Sequence, residues 1–352
     1  MLIYIIMLIV SIYFAVYASQ LKTYPMFATS YRIFAALSAL PFILVTVLRY
    51  RVGTDWTYVY EPYLYYIKNG IEEFSEVGFT TIYRVFALFT DDAWYPIAFI
   101  GFITVLFFFA AIYQQSCMIP FSILLFVLIN KYFTSLNQIR QMLAMSIFIY
   151  SLKHIYQKNW KGYFLWNLLG TSIHTSSLLY LPFYFLYGRK ATVKRCVGIM
   201  VLNVILFPVA VIVLPKLLAL TPYGWYLDSP YAQNNFYLLG FFVIFFATVL
   251  HVFCLYRNHE EDIKFHFMTY MMLASTILLL YSAVLPQILR VSEGLSVIQI
   301  LSFPQMLKKE KEEKIWILLW LMIVGTYTVK LLYDVYVNKW YNAIPYRTIF
   351  SR

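Results

Sequence analysis

The sequence predicts an all-α, polytopic membrane protein. Three observations carry that prediction. Of the 352 residues, 62% are apolar and only 12% are charged; the mean hydropathy is +0.70; and apolar runs of about 17 to 25 residues, enough to cross a bilayer as a helix, recur from end to end. A soluble domain of this length does not carry so little charge. The polar intervals are short, so residues 1–352 are expected to form one integral membrane domain, with 49–92 as an outer-face loop holding short interfacial helices.

In chain order, about ten spans are expected, near 2–18, 33–48, 94–113, 119–135, 138–152, 197–218, 237–256, 266–286, 294–307 and 315–335. The first run, LIYIIMLIVSIYFAVYA, follows Met1 with neither a basic n-region nor a small-residue cleavage signal, and reads as a retained span. The run 163–187, YFLWNLLGTSIHTSSLLYLPFYFLY, is long enough to cross once, yet it is flanked by KHIYQKNWK and GRKATVKR. Lys and Arg favour cytoplasmic loops, which puts both flanks on one side. A re-entrant or broken helical hairpin with GTSIHTSS at its tip satisfies both flanks, since irregular backbone is tolerated where it lines a protein cavity. The basic loops around Lys22, Lys158, Arg189, Arg257 and Lys309 then face the cytoplasm. The outer face receives 49–92, KYFTSLNQIR, TPYGWYLDSPYAQNN, PQILRVSEG and both termini.

That bias explains most of the net charge of +11, so the charge carries little functional weight as a sign of nucleic acid or anionic lipid; membrane lipids are the surroundings and no nucleic-acid partner is expected. Cys117, Cys196 and Cys254 are far apart and suggest neither disulfides nor a metal site. The chain has no CxxC, HExxH, Walker loop, GxSxG or dinucleotide fingerprint, so nucleotide-driven, zinc and serine-hydrolase chemistry lack motif support, and no cofactor or metal is expected.

The candidate site lies on the outer face. Arg51, Arg140 and Arg290 each stand at the mouth of a span, where an unpartnered charge is costly. Each alone also reads as a snorkelling anchor. Together they suit a lipid-linked phosphate or pyrophosphate, because guanidinium forks onto phosphate oxygens at any pH. Asp55, after the turn-forming Gly53, and Glu76, before an amphipathic stretch, are candidate acids that also read as structural partners for arginine. Glu72 and Glu73 read as solvated loop acids. His174, at the hairpin tip, is a candidate proton acceptor or a packed, hydrogen-bonded core residue. Trp56, Tyr58, Tyr60, Tyr223, Trp225 and Tyr226 are rings on which a sugar can stack.

The ordered pieces RYRVGTDWTYVY, SEVGFTTIYRVF, NQIRQMLAMSIFIYSL, SIHTSSLLYLPFYFL and LPQILR, from about Arg49 to Arg290, resemble the EpsG branch of the bacterial Wzy-type polysaccharide polymerases. The stretch VSEGLSVIQILSF departs from the aromatic-rich pattern that such proteins carry after the late arginine. The resemblance implies a GT-C-like, metal-independent glycosyltransferase of the cytoplasmic (inner) membrane, its site facing the periplasm or outside. Such an enzyme joins oligosaccharide repeat units carried on undecaprenyl pyrophosphate and releases that lipid. It implies Arg51, Arg140, Arg290 and Gln141 as pyrophosphate ligands, and His174, then Asp55, with Glu76 beside them, as catalytic groups. Trp56, Tyr58 and Trp225 become the saccharide wall, with a chain-length regulator and a flippase as candidate protein partners. A ligase of the same chemistry and a lipid-linked oligosaccharide flippase or transporter are the alternatives.

Overall fold

The computed structural model describes residues 1–71, 74–221, 224–228, 236–257 and 262–351, and among them there is no β-strand. Helices α1 (Leu2–Leu21) and α2 (Ala28–Leu48) form an N-terminal pair, followed by a π-helical turn Trp56–Tyr60, α3 (Glu61–Lys68) and α4 (Val77–Ala87), which build the expected loop over 49–92. The bundle continues with α5 (Trp94–Gln115), α6 (Ile119–Leu128), α7 (Lys131–Asn137), α8 (Ile139–Tyr156) and α9 (Trp160–Ile173), then a 3-10 helix Thr175–Leu186. The C-terminal part holds α10 (Val193–Ala219), α11 (Leu238–Arg257), α12 (Ile263–Tyr281), α13 (Ile288–Ser296), α14 (Gln299–Lys309) and α15 (Glu313–Leu332).

Seven helices among the described residues are long and apolar enough to cross a membrane, and the bent pair α6–α7 makes an eighth. The protein is therefore an all-α, multi-pass membrane protein. The expected span at 138–152 is α8, a helix buried along nearly all its length inside the bundle. The one expected at 294–307 is divided between α13 and α14.

The bend between α6 and α7 is 54°. It falls at Asn130, which adopts the left-handed conformation at φ 66°, a region that Asn tolerates because its short polar side chain bonds locally. All of α7 is buried. The stretch KYFTSLNQIR, expected as an outer turn, is thus folded into the bundle, and its Asn137 faces protein rather than solvent.

The hairpin is present. Asn159 caps α9 by accepting a hydrogen bond from the Gly162 amide at 3.0 Å, and the fourteen residues of α9 rise about 21 Å, short of a hydrocarbon core about 30 Å thick. The helix stops at His174, whose backbone is extended (φ −153°, ψ 117°), and the chain turns back as the 3-10 helix. By contrast, α10 has 27 residues with Pro208 and Pro215 inside it, and none of its apolar stretch is buried against the rest of the protein.

Two apolar clusters result. The larger joins α1, α2, α5 to α8 and α11 to α15. The smaller, with Trp56, Tyr60, Tyr63, Phe79 and Tyr83 packed on Ile139, Leu143, Ile147 and Ile173, fastens the 49–92 segment onto the start of α8 and the end of α9. That second cluster places the loop's acids beside the hairpin tip.

Candidate functional site

Glu76 stands immediately before α4, in extended conformation, so its carboxylate leaves the helix start and reaches into the bundle. Arg140, in the first turn of α8, places Nη1 3.1 Å from Glu76 Oε2. Thr175 Oγ1 donates to Glu76 Oε1 at 3.0 Å, and His174 Nδ1 lies 3.3 Å from the same oxygen. One carboxylate therefore ties together the 49–92 segment, α8 and the hairpin tip. Burial raises its pKa, but the His174 contact, the Arg140 charge and the Thr175 hydroxyl outweigh that and hold it at about 2. Glu76 is an anion across the physiological range.

Arg140 is further held by ring faces, with its guanidinium carbon 3.6 Å from the Phe74 centroid and 5.4 Å from that of Phe79. Its Nε is buried with no hydrogen-bond partner. His174 is buried too, and neither ring nitrogen has an aligned hydrogen bond. Burial lowers the His174 pKa, the Glu76 contact works against this, and the charges of Arg140 and Arg290 reinforce it. The imidazole beside Glu76 is thus neutral at pH 7, and the contact between them is not an ion pair.

Asp55 completes the group. Asn137, the last residue of α7, accepts from Thr54 Oγ1 at 3.0 Å and from the Asp55 amide at 2.8 Å. Gly53 makes this docking possible: its φ is +102°, and a Cβ there would lie 2.7 Å from the Leu136 carbonyl oxygen. Burial raises the Asp55 pKa, opposed by Asn137 and by the charges of Arg140 and Arg290. Arg290 is exposed on α13, and its carbonyl accepts from Gln141 Nε2 at 3.2 Å. Ser275 and Ser292 exchange hydrogen bonds to each other's carbonyls at 2.9 and 2.7 Å, fixing α13 to α12.

The structure thus brings Arg140, Arg290, Gln141, Asp55, Glu76 and His174 to one end of the bundle. Arg51 is engaged elsewhere, exposed and bidentate on Glu61 at 2.8 and 3.3 Å. Trp56, expected in a sugar-stacking wall, is 2% exposed. Its ring is covered by Tyr50 and by Arg49, so neither face is open to a saccharide. Tyr58 is 82% exposed and Trp225 is also exposed. Glu72, Glu73 and Tyr223 lie outside the described residues, as does the side chain of Tyr226. Among the described residues, no three His, Cys, Asp or Glu side chains converge as metal ligands.

Sequence reasoning passed over Thr175, Asn137 and Arg49. The first two look like ordinary polar residues of a turn. The third was masked by Arg51, two positions along in the same RYR triplet; its position against the end of an apolar run was the available signal.

A family model described as the EpsG family matches residues 32–348. No curated protein and no solved structure matches the chain.

Proposed function

Because this chain belongs to the EpsG family, the Wzy-type polymerase-like family, we propose that it is a metal-independent glycosyltransferase that joins polyprenyl-pyrophosphate-linked oligosaccharide repeat units. The acceptor hydroxyl oxygen of one lipid-linked unit attacks the anomeric carbon of the other, the bond from that carbon to the phosphate oxygen breaks, and undecaprenyl pyrophosphate leaves with the electron pair. Pyrophosphate is a good leaving group, so the principal demand on the protein is positive charge where negative charge accumulates. Arg140 and Arg290 supply it, with Gln141 holding the α13 backbone beside Arg290.

The hydroxyl proton goes to His174. With Nδ1 facing the Glu76 carboxylate, Nε2 is the basic nitrogen, and the acid orients the base as in other carboxylate–imidazole pairs. The loose alignment of that contact is the form such bonds take before substrate binds. Asp55, partly buried within reach of both arginine charges, positions the acceptor. The exposed rings of Tyr58 and Trp225 are the surfaces on which sugars stack. The basic flanks of the hairpin favour the cytoplasm for the opposite end of the bundle, which supports a site that faces the periplasm or outside.

The observation that carries this reading is the single Glu76 carboxylate shared by Arg140, His174 and Thr175. Purified protein given two lipid-linked units tests it. Lengthened lipid-linked chains with release of polyprenyl pyrophosphate are expected, whereas polymer on another acceptor indicates a ligase, and substrate movement without covalent product indicates a transporter.

A further inference from the structure

Arg49 is the largest fully buried side chain. It is 1% exposed, and Nε, Nη1 and Nη2 all lack a hydrogen-bond partner. A buried guanidinium without an acceptor is rare, because the lost hydration is normally replaced by a carboxylate, a carbonyl, water or an ion. Its surroundings are phenols and an indole. Tyr4, Tyr60, Tyr132 and Tyr346 lie within electrostatic reach, and the Trp56 ring centre is 5.7 Å away.

Residues 343–348 close the cage as a strap. Tyr4 Oη donates to the Ala343 carbonyl at 2.8 Å and Tyr346 Oη to the Val45 carbonyl at 2.9 Å. The Tyr50 amide donates to the Arg347 carbonyl at 2.9 Å, and an isolated bridge pairs Arg49 with Thr348. The strap exposes Pro345 and Arg347 on its outer side, so lifting it breaks these few polar contacts and the packing of Ala343, Ile344 and Tyr346. On its inner side the cage borders the site already described. Tyr83 feels both Arg49 and Arg140, and Tyr60 likewise.

We propose that Arg49 is an occluded oxyanion site of the phosphate class, closed by the strap 343–348 and uncovered when that strap lifts. The free edges of the guanidinium match two oxygens of a phosphate, a fit that lysine does not reproduce. Lifting the strap adds a positive charge beside Arg140 only when an anion is there to take it. The proposal deepens the pyrophosphate reading and rests on it.

The test uses the full chain in nanodiscs. Hydrogen exchange is followed at the Tyr50 amide and across 343–351, with a polyprenyl pyrophosphate and separately with inorganic pyrophosphate. Exchange about threefold or more faster with the lipid is expected, since the amide is protected only while the strap is closed. The same response to inorganic pyrophosphate alone supports the site and identifies the anion as free rather than lipid-borne. Arg49→Gln abolishes the response. Should that variant fail to fold, Tyr346→Phe decides, because it removes one strap hydrogen bond and leaves the cage charge intact. Easier opening then tightens apparent binding of the same probe about fivefold, the equivalent of one hydrogen bond. No exchange response to either anion, or unchanged or weaker binding by Tyr346→Phe, overturns the proposal. Both readouts are independent of chain elongation, so failure of the polymerase reading shows as binding without product.

Discussion

A Cβ on Gly294 would lie 1.7 Å from the Tyr180 phenol oxygen. Tyr180 belongs to the returning arm of the hairpin that holds His174, and Gly294 to the helix that holds Arg290. Tyr180 cannot retreat: it is buried, stacked on Phe148 at 4.3 Å between centroids, and its carbonyl accepts from Tyr163 Oη at 2.6 Å. Gly294→Ala is therefore expected to push α13 from the hairpin, lowering stability by about 1 to 3 kcal/mol as overpacking does. Polymer yield should fall with the melting temperature. Adding Tyr180→Phe, which removes the nearest atom, should restore part of both; no recovery in the double variant counts against steric contact as the cause.

Arg140→Ala is expected to lower chain elongation by two or more orders of magnitude, corresponding to about 2.7 to 4 kcal/mol in the barrier, the usual cost of removing such an electrostatic partner. Membrane insertion should be unaffected. Arg140→Lys keeps the charge but neither the fork nor the stacking on Phe74, and should recover only part of the rate. Normal long polymer from Arg140→Ala would sink the assignment.

With His174 as the proposed base, the acid limb of the pH–rate profile is expected to report its titration. Its pKa lies below the usual value of about 6.5, so the base stays competent from neutral pH down into mildly acidic buffer, and the rate falls as the imidazole becomes protonated. Glu76 raises that pKa by contact and charge. Glu76→Gln removes the raising influence and should move the limb to lower pH, along with a lower maximal rate from the lost orientation. Movement to higher pH would contradict the pairing. Glu76 itself also links pH to stability: with a folded pKa of about 2, its contribution is complete above about 4.3, its value in an unfolded chain, and is lost as pH falls toward 2.

Arg51→Ala is expected to change stability by no more than about 1 kcal/mol, because its ion pair with Glu61 is exposed, and to leave elongation within severalfold of the parent. Asn137→Ala should cost more, since it strips the acceptor from both Thr54 and the Asp55 amide and frees the loop that Gly53 docks. An Arg51 variant as damaged as Arg140→Ala would show that the exposed ion pair opens during turnover.

Orientation is tested with single cysteines in a background lacking Cys117, Cys196 and Cys254. Asp91 is 94% exposed by side chain and sits in the 49–92 segment, while Lys158 lies in the turn before α9 and is exposed. A membrane-impermeant maleimide added to intact cells should label Asp91→Cys and spare Lys158→Cys. The reverse pattern would place the site in the cytoplasm.

Much of this arrangement was legible in the sequence because membrane topology is written in charge. Basic flanks on both sides of 163–187 require an even number of passes, and from that the hairpin and the position of His174 follow. The grouping of Arg140 with Glu76 was less legible, since it depends on Phe74 and Phe79 stacking against α8, which hydropathy does not register. Lys131 and Asn137 were unreadable as interior residues because burial of α7 comes from the left-handed turn at Asn130. Arg49 and Arg51 share a triplet and a charge; only the fold separates the caged one from the solvated one.

The long lipid-facing helix α10 brings the bilayer itself into the protein's behaviour. Its 27 residues extend about 40 Å, well beyond an average hydrocarbon thickness of about 30 Å, and little protein surface grips it. Tilt and bending at its two prolines must absorb the excess, so the acyl-chain length of the bilayer sets the angle of this helix. Membrane thickness is thus a variable of this fold, transmitted through a helix that little protein holds.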